Sequence, residues 1–181
     1  EPEFKMFFNG TEDEFVEIFN SSSKLIRNQQ QEAVIIMAGA ASMYPESKKF
    51  WTSAMPKIKN SFDIANIHHI TGPNGNCDKE MWIDEFAALL KKLNINKPIW
   101  LTEAMPGKCK AVTSYIKAFA NGAEVIIDVG VNAPGPKMSS KERKGLENFV
   151  KKYENFKTIK LIKNKAEFTF ADNSTKTFNL K

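Results

Sequence analysis

Short apolar runs and segments of helical periodicity alternate four times along the chain. The apolar runs begin near Val34, Phe62, Ile99 and Glu124, and apolar residues at three- and four-residue spacing mark the helices between them. Such alternation predicts parallel β-strands joined by crossover helices. Because these helices cover both faces of a parallel sheet, the strands are expected to be apolar throughout, and the run over residues 33 to 38 is of this kind.

Helix boundaries are marked by capping residues and prolines. Two capping boxes, starting at Thr11 and at Ser139, predict helix N-termini, since their side chains satisfy free backbone N–H groups. Pro45 suits a first helical turn, and Pro56 is expected to interrupt that helix. Asp78 is a further expected cap. The predicted inward faces of the first and last helices are Phe15, Ile18, Phe19, Leu25 and Ile26, and Leu146, Phe149, Val150 and Tyr153.

The number of strand–helix units limits the architecture. A complete (β/α)8 barrel needs about 250 residues, whereas this chain has 181 residues and four such units. We therefore predict the last four βα units of a barrel over residues 1–156. A short β extension over residues 157–181 follows, with strands at 158–162, 167–170 and 176–180. A doubly wound sheet is the rival, weakened because the chain has no glycine-rich phosphate-binding motif.

Composition excludes two classes of partner. The net charge is +5, but the lysines are scattered among acidic residues and no nucleic-acid-binding motif accompanies them, so we expect no nucleic-acid partner. No apolar stretch of 18 residues occurs, so we expect no membrane span. Three Asn-x-Ser/Thr sequons arise readily by chance in such a chain. A secreted or cell-surface location is slightly favoured over a cytoplasmic one.

Polar residues stand where the predicted strands end. His68 and His69 follow the apolar run that begins at Phe62, and Glu103 follows the run over residues 98 to 102. In barrels of this kind, catalytic groups project from the C-terminal ends of the strands. Asp128 lies inside an apolar strand, so it needs a partner if it is buried. It could be a sugar ligand, but a structural pairing with a barrel lysine is the favoured interpretation.

Three ordered motifs resemble the clan A retaining glycoside hydrolases. Glu1-Pro2-Glu3, followed by residues 8 to 15, is similar to the region after their fourth strand, where an Asn-Glu-Pro motif carries the acid/base. Residues 62 to 69 are similar to their sixth strand, which ends in a histidine. Residues 98 to 103 are similar to their seventh strand, which ends in the nucleophilic glutamate. The resemblance covers roughly residues 1 to 150.

The resemblance implies a chemistry and a set of roles. Retaining hydrolysis of a β-linked glycoside needs two carboxyl groups about 5–5.5 Å apart. Glu103 would be the nucleophile, Glu1 the acid/base, and His68 and His69 substrate-binding residues, with His68 near Glu103 helping to hold it ionised. The substrate would be a carbohydrate, with no metal and no organic cofactor. Residues 1–181 by themselves are expected to be inactive, since the first four barrel strands are lacking.

Two departures motivate a non-enzymatic alternative. Ile70 stands where the family often has an aromatic residue, and residues 130 to 134 lack the tryptophan that commonly closes the sugar subsite. A catalytically inactive barrel relative, acting as a carbohydrate-binding or structural protein, would show such changes. A half barrel also exposes strand edges, so pairing with the missing N-terminal half or self-association is expected.

The two cysteines follow neighbouring predicted strands. Cys77 lies in the loop after His68, and Cys109 lies in the loop after Glu103. Adjacent parallel strands bring both loops to one end of the sheet, which is compatible with a disulfide or a near contact. Two unrelated thiols are an equally good interpretation.

Overall fold

The structure is a computed structural model that describes residues 1–70, 81–106, 109–129 and 138–180. The predicted cap at Asp78 and the segments 71–76 and 130–134 lie outside these residues. The helices are α1 Glu12–Gln29, α2 Pro45–Ile58, α3 Ile83–Lys92, α4 Ala111–Ala120 and α5 Ser140–Tyr153. The strands are β1 Ala65–Ile70, β2 Ile99–Met105, β3 Ala123–Asp128, β4 Phe156–Ile162, β5 Lys165–Phe170 and β6 Thr175–Asn179.

The chain has a mixed α/β fold built on a parallel sheet. Strands β1, β2 and β3 are hydrogen-bonded in that order, and each neighbouring pair is parallel. The predicted first strand, over residues 33 to 38, is not a regular strand. That part of the chain joins β1 through two isolated parallel bridges, Ile36 to Ile64 and Ala40 to Ile67. The described parallel sheet therefore has three strands and one irregular neighbouring segment. This confirms a mixed α/β fold with a parallel sheet, but it does not show the predicted half barrel.

This irregular edge segment, residues 35–40, was predicted to be covered on both faces, but only one face is covered. Met37 is 1% exposed, whereas Val34 is 66% exposed, so the side chains alternate between the core and solvent. An edge strand has a neighbour on one side alone, and nothing among the described residues covers the outer side chains. Three residues of the predicted α1 stripe are exposed in the same way, namely Ile18, Leu25 and Ile26.

The helix boundaries follow local signals with one exception. Both capping boxes form, and in the first the Thr11 hydroxyl accepts from the Glu14 N–H while the Glu14 carboxylate accepts from the Thr11 N–H. Pro45 opens α2 as predicted, but Pro56 does not interrupt it. Pro56 falls in the last turn of α2, where the loss of one N–H donor affects little of the helix. No helix of the described residues is long and apolar enough to span a membrane.

An ion pair fastens the edge segment to the end of α1. The Asp63 carboxylate accepts from the Ile35 N–H at 2.8 Å and pairs with the Arg27 guanidinium at 2.8 Å. The hydrogen bond from Ile35, together with the charge of Arg27, lowers the pKa of Asp63. Residues 35–40 therefore keep their place beside β1 although they form few ladder hydrogen bonds.

The C-terminal tail forms a separate antiparallel sheet with the order β4-β5-β6. It packs on α4 and α5 through a second hydrophobic cluster of five buried residues, Ile116, Phe149, Tyr153, Ala166 and Phe168. Val150, which was predicted to face inward, is exposed. The helical face toward the tail is thus centred on Phe149 and Tyr153, which lie one turn apart.

Candidate active site

A β-bulge in β2 shapes the C-terminal end of the parallel sheet. Ile67 lies opposite Leu101, but the next residue of β1, His68, lies opposite Glu103. The extra residue in β2 is Thr102. A bulge redirects side chains that would otherwise alternate between the two faces of the sheet. Thr102 and Glu103, although adjacent in sequence, can therefore both approach the His68 ring.

The imidazole of His68 has an oxygen atom close to each nitrogen. Its Nδ1 lies 2.9 Å from a carboxylate oxygen of Glu1, and its Nε2 lies 3.2 Å from the hydroxyl oxygen of Thr102. Glu103 is farther away, with an oxygen 3.8 Å from Nδ1. His68 was predicted to lie near Glu103, whereas in the structure its ring lies at hydrogen-bonding distance from Glu1. Its contact with Glu103 is electrostatic, because 3.8 Å exceeds hydrogen-bonding distance.

Two predicted catalytic residues and one predicted binding residue meet in this cluster. One oxygen of Glu1, one oxygen of Glu103 and a ring nitrogen of His68 all lie within 4.8 Å of one another. The side chain of His68 is 11% exposed, that of Glu1 is 17% exposed and that of Glu103 is 45% exposed. The two carboxylates thus lie in one cluster but differ in how much of each is enclosed.

Glycine at position 39 is required by the approach of the His68 ring. A Cβ atom added to Gly39 would lie 2.0 Å from Nε2 of His68. No side chain can occupy that space, so the ring rests against the bare backbone of the edge segment. Gly39 directly follows the apolar run over residues 33 to 38, and the sequence carries no signal for this long-range contact.

Glu3 holds Glu1 beside the sheet. One carboxylate oxygen of Glu3 accepts from the Ala41 N–H at 2.7 Å and from the Trp51 indole N–H at 3.0 Å. These bonds join the segment before α1 to the edge segment and to α2. Since Glu1 is two residues away, this anchoring limits where its carboxylate can lie. The resemblance placed Glu3 within a motif but gave it no role.

A buried amide completes the site beneath His68. Asn66 is 6% exposed, and its amide group bonds to the Met37 carbonyl and to Thr102. A polar side chain in an apolar strand must be paired when it is buried. A polar residue inside an apolar run therefore predicts a buried hydrogen-bonding partner, and Asn66 is such a residue.

His69 does not join the cluster. Successive side chains of a strand point to opposite faces, and the His69 ring lies 6.2 Å from the Trp82 ring, between centroids. His69 is 7% exposed, and burial lowers its pKa from 6.5 to about 4. The structure thus makes His69 a core residue on the helix-covered side of β1. The predicted role in substrate binding has no support from its position.

Asp128 has a tyrosine as a hydrogen-bond partner, and its predicted pairing with a lysine stays a prediction. The Tyr115 hydroxyl of α4 donates to the Asp128 carboxylate at the end of β3. Burial and this acidic neighbour raise the pKa of Tyr115. The bond ties α4 to the strand that follows it, which is a structural role.

Cys109, at the start of the segment before α4, is buried and disulfide-bonded. Its predicted partner, Cys77, lies outside the described residues. The disulfide state of Cys109 agrees with the interpretation that paired the two loops, and it disagrees with two unrelated thiols.

The donor set of the cluster also bears on metal binding. Within the described ranges, Glu1, His68 and Glu103 are the single group of acidic and imidazole side chains close enough together to share a cation. Nδ1 of His68 lies 2.9 Å from Glu1, a separation at which a cation could take the place of the bridging hydrogen. A hydrogen-bonded cluster accounts for the observed distances without one.

Comparisons with known proteins give no assignment. No protein-family model matches the chain, and a search of curated proteins returned no match. The chemistry of the site has to be argued from its own geometry.

Replacing Gly39 by alanine should displace His68. The added methyl group overlaps the ring, so we expect a loss of about 1–3 kcal/mol in the free energy of unfolding, measured by chemical denaturation, and a shift of the His68 NMR signals. Gly145→Ala is the matched control, since nothing lies near that position in α5; it should stabilise the protein by up to about 1 kcal/mol. Equal effects of the two substitutions would contradict the close contact.

The buried imidazole of His69 should make stability depend on pH. Because burial lowers its pKa from 6.5 to about 4, the unfolded chain binds this proton more tightly than the folded protein does. The stability is therefore complete above about pH 6.5 and decreases as the pH falls toward about 4. Between pH 7.5 and pH 4.5, wild type should lose about 2–3 kcal/mol more than His69→Asn does in urea denaturation. Parallel pH profiles would show that His69 is not buried in this way.

Proposed function

We propose that Glu1 and Glu103 are the carboxylate pair of a retaining β-glycosidase related to the clan A glycoside hydrolases. The observation that carries the proposal is the convergence of both carboxylates on His68, with the three polar atoms within 4.8 Å of one another. Retaining enzymes hold their two carboxyl groups about 5–5.5 Å apart, whereas inverting enzymes need a wider gap that admits a water molecule. The proximity of the pair therefore supports retention.

The two carboxylates take different parts in the reaction. Glu103 attacks the anomeric carbon and forms a glycosyl ester, while Glu1 gives its proton to the departing glycosidic oxygen. In the second step, Glu1 takes a proton from water, the hydroxide so formed attacks the anomeric carbon, and the ester bond to Glu103 breaks. The greater exposure of Glu103, 45% against 17% for Glu1, suits a nucleophile that must reach the sugar.

The same proposal extends to the fold. The edge segment, β1, β2 and β3 are neighbours in sequence order, and all of them run parallel. Consecutive parallel neighbours are the arrangement of a (β/α)8 barrel, and the cluster lies toward the C-terminal ends of β1 and β2, as active sites do in that fold. We propose that the chain supplies the later βα units of such a barrel.

A trapping experiment tests the nucleophile. Aryl β-glycosides with a fluorine beside the anomeric carbon and a good leaving group react in the first step and hydrolyse slowly. The experiment uses the complete barrel, in which the earlier βα units accompany residues 1–181. With a panel of such sugars, we expect one glycosyl unit to be attached to Glu103, detected by peptide mass spectrometry. Glu103→Gln should abolish labelling, and Glu124→Gln, at an exposed position of β3, is the control that should not. Glu1→Gln should retain labelling, because a good leaving group needs no acid.

The remaining outcomes of this experiment distinguish an active glycosidase from an inactive carbohydrate-binding relative. Turnover of substrates with poor leaving groups, where it is measurable, should fall by about 10²–10⁴-fold in Glu1→Gln. If a sugar shifts the His68 NMR signals but no adduct forms, the result favours the inactive carbohydrate-binding relative, for which Ile70 already argues. If there is neither an adduct nor a shift with any sugar, the proposed function is wrong.

The exposed apolar edge is a proposed site of association. Val34, Ile36 and the outer residues of α1 are exposed beside an open strand edge, where further βα units or a second copy of the chain could pair. The purified chain should therefore self-associate in sedimentation velocity, and Ile36→Lys should weaken this by placing a charge in the contact. Leu161→Lys, on the tail sheet, is the control. A monomer at all concentrations would contradict the proposal.

A further inference from the structure

The orientation of the Asn66 amide is determined by two partners. Its nitrogen lies 3.2 Å from the Met37 carbonyl oxygen, and its oxygen lies 3.4 Å from the backbone nitrogen of Thr102. If the amide were flipped, two oxygens would face each other at Met37 and two N–H groups would face each other at Thr102. The oxygen of Asn66 therefore faces Thr102, where it can only accept hydrogen bonds.

This orientation determines the direction of the next hydrogen bond. The Thr102 hydroxyl oxygen lies 2.8 Å from the Asn66 amide oxygen, and a contact this short between two oxygens requires a hydrogen between them. A hydroxyl has one hydrogen, so Thr102 donates it to Asn66 and has just lone pairs left for His68. The ring nitrogen Nε2, 3.2 Å from the Thr102 oxygen, must then carry a hydrogen and donate it.

The other side of the ring then needs a second proton. If His68 were neutral with its hydrogen on Nε2, its Nδ1 would be an acceptor, yet it lies 2.9 Å from a carboxylate oxygen of Glu1. Two acceptors do not stay at that distance unless a hydrogen lies between them. Either the ring is doubly protonated or Glu1 is in its acid form, and in both cases the contact holds one proton more than a neutral ring and an ionised carboxylate.

We propose that Asn66 and Thr102 are positioning residues that keep His68 donating from Nε2, so that the contact between His68 and Glu1 stores the proton used in general acid catalysis. This role rests on the proposed function, since it supplies the proton that Glu1 gives to the leaving oxygen. Glu103, 3.8 Å from Nδ1, is too far away to take the proton by a direct hydrogen bond. The proton is thereby within hydrogen-bonding reach of Glu1 and not of Glu103.

Enclosure keeps this chain of hydrogen bonds in place. Asn66 and His68 are both buried, and Gly39 lies against the ring on the side of the edge segment. In such surroundings a polar group that loses its partner is not compensated by water. The proton on Nε2 is thus held there by Thr102 and Asn66, whether or not a sugar is bound.

The proton positions can be measured directly by nitrogen NMR of the histidine rings. The chain has 2 histidines, and His69→Asn identifies the signals of His68. In wild type near neutral pH, Nε2 of His68 should be protonated, and a second proton should be found on Nδ1 or on the Glu1 carboxyl group, the latter read from its carbon shift. A ring with its hydrogen on Nδ1 alone would overturn the proposal, and so would a bare Nδ1 beside an ionised Glu1.

Substitutions at Thr102 separate this role from a purely structural one. Thr102→Val keeps the shape but removes the acceptor, so His68 should lose the hydrogen on Nε2 and donate from Nδ1 to an ionised Glu1. Thr102→Ser keeps the hydroxyl and should retain the wild-type pattern. An unchanged pattern in Thr102→Val would also overturn the proposal. If Thr102→Val does not fold, the wild-type spectrum decides alone.

The two proposals fail separately. The NMR measurement needs no sugar, so the expected proton pattern without any trapped adduct would retain the proton arrangement at His68 and reject the glycosidase, and with it the use of that proton in catalysis. An adduct on Glu103 together with a bare Nδ1 beside an ionised Glu1 would do the reverse. If the site instead holds a divalent cation, added zinc would remove the proton from Nδ1, and chelator treatment of the purified protein would restore it. A bare Nδ1 that gains its proton only after chelation rejects the proton store.

Discussion

The packing of the His68 ring against three other segments of the chain is the constraint on which the site depends. The ring meets Glu1 from the segment before α1, Gly39 from the edge segment, and Thr102 from the bulge of β2. Each of these partners is positioned by a different local feature. A change in any one of them moves the ring, and the ring carries the only hydrogen bond that the described contacts give to the Glu1 side chain.

The parts of the fold that could be predicted from sequence are those that depend on neighbours along the chain. The capping boxes at Thr11 and Ser139, the start of α2 at Pro45, and the three tail strands all form, since local hydrogen bonds and side-chain period determine them. The strand bounds were less accurate. A strand was expected to begin near Phe62, but β1 is Ala65–Ile70, because the ladder with β2 determines where pairing begins.

The parts that could not be predicted depend on contacts across the sheet. The sequence does not indicate that Val34 is exposed. When every residue of a run is apolar, no alternation of apolar and polar residues shows which side chains face solvent. Nor does the sequence reveal that Gly39 lies under a ring 29 positions later in the chain. Asn66 and Thr102 are a different case. Polar residues inside two apolar strands carry a readable signal, since each needs a buried partner, and these two are partners of each other.

The proposed difference in role between the two glutamates follows from their surroundings and needs no difference in chemistry. Glu1 is the more enclosed carboxylate and lies within hydrogen-bonding distance of the ring, whereas Glu103 is more exposed and lies outside that distance. A reaction that requires one protonated and one ionised carboxyl group needs such an asymmetry. The bulge at Thr102 is its structural origin, because it supplies the acceptor for Nε2 and also places Glu103 opposite His68. One extra residue in β2 therefore shapes both halves of the proposed catalytic pair.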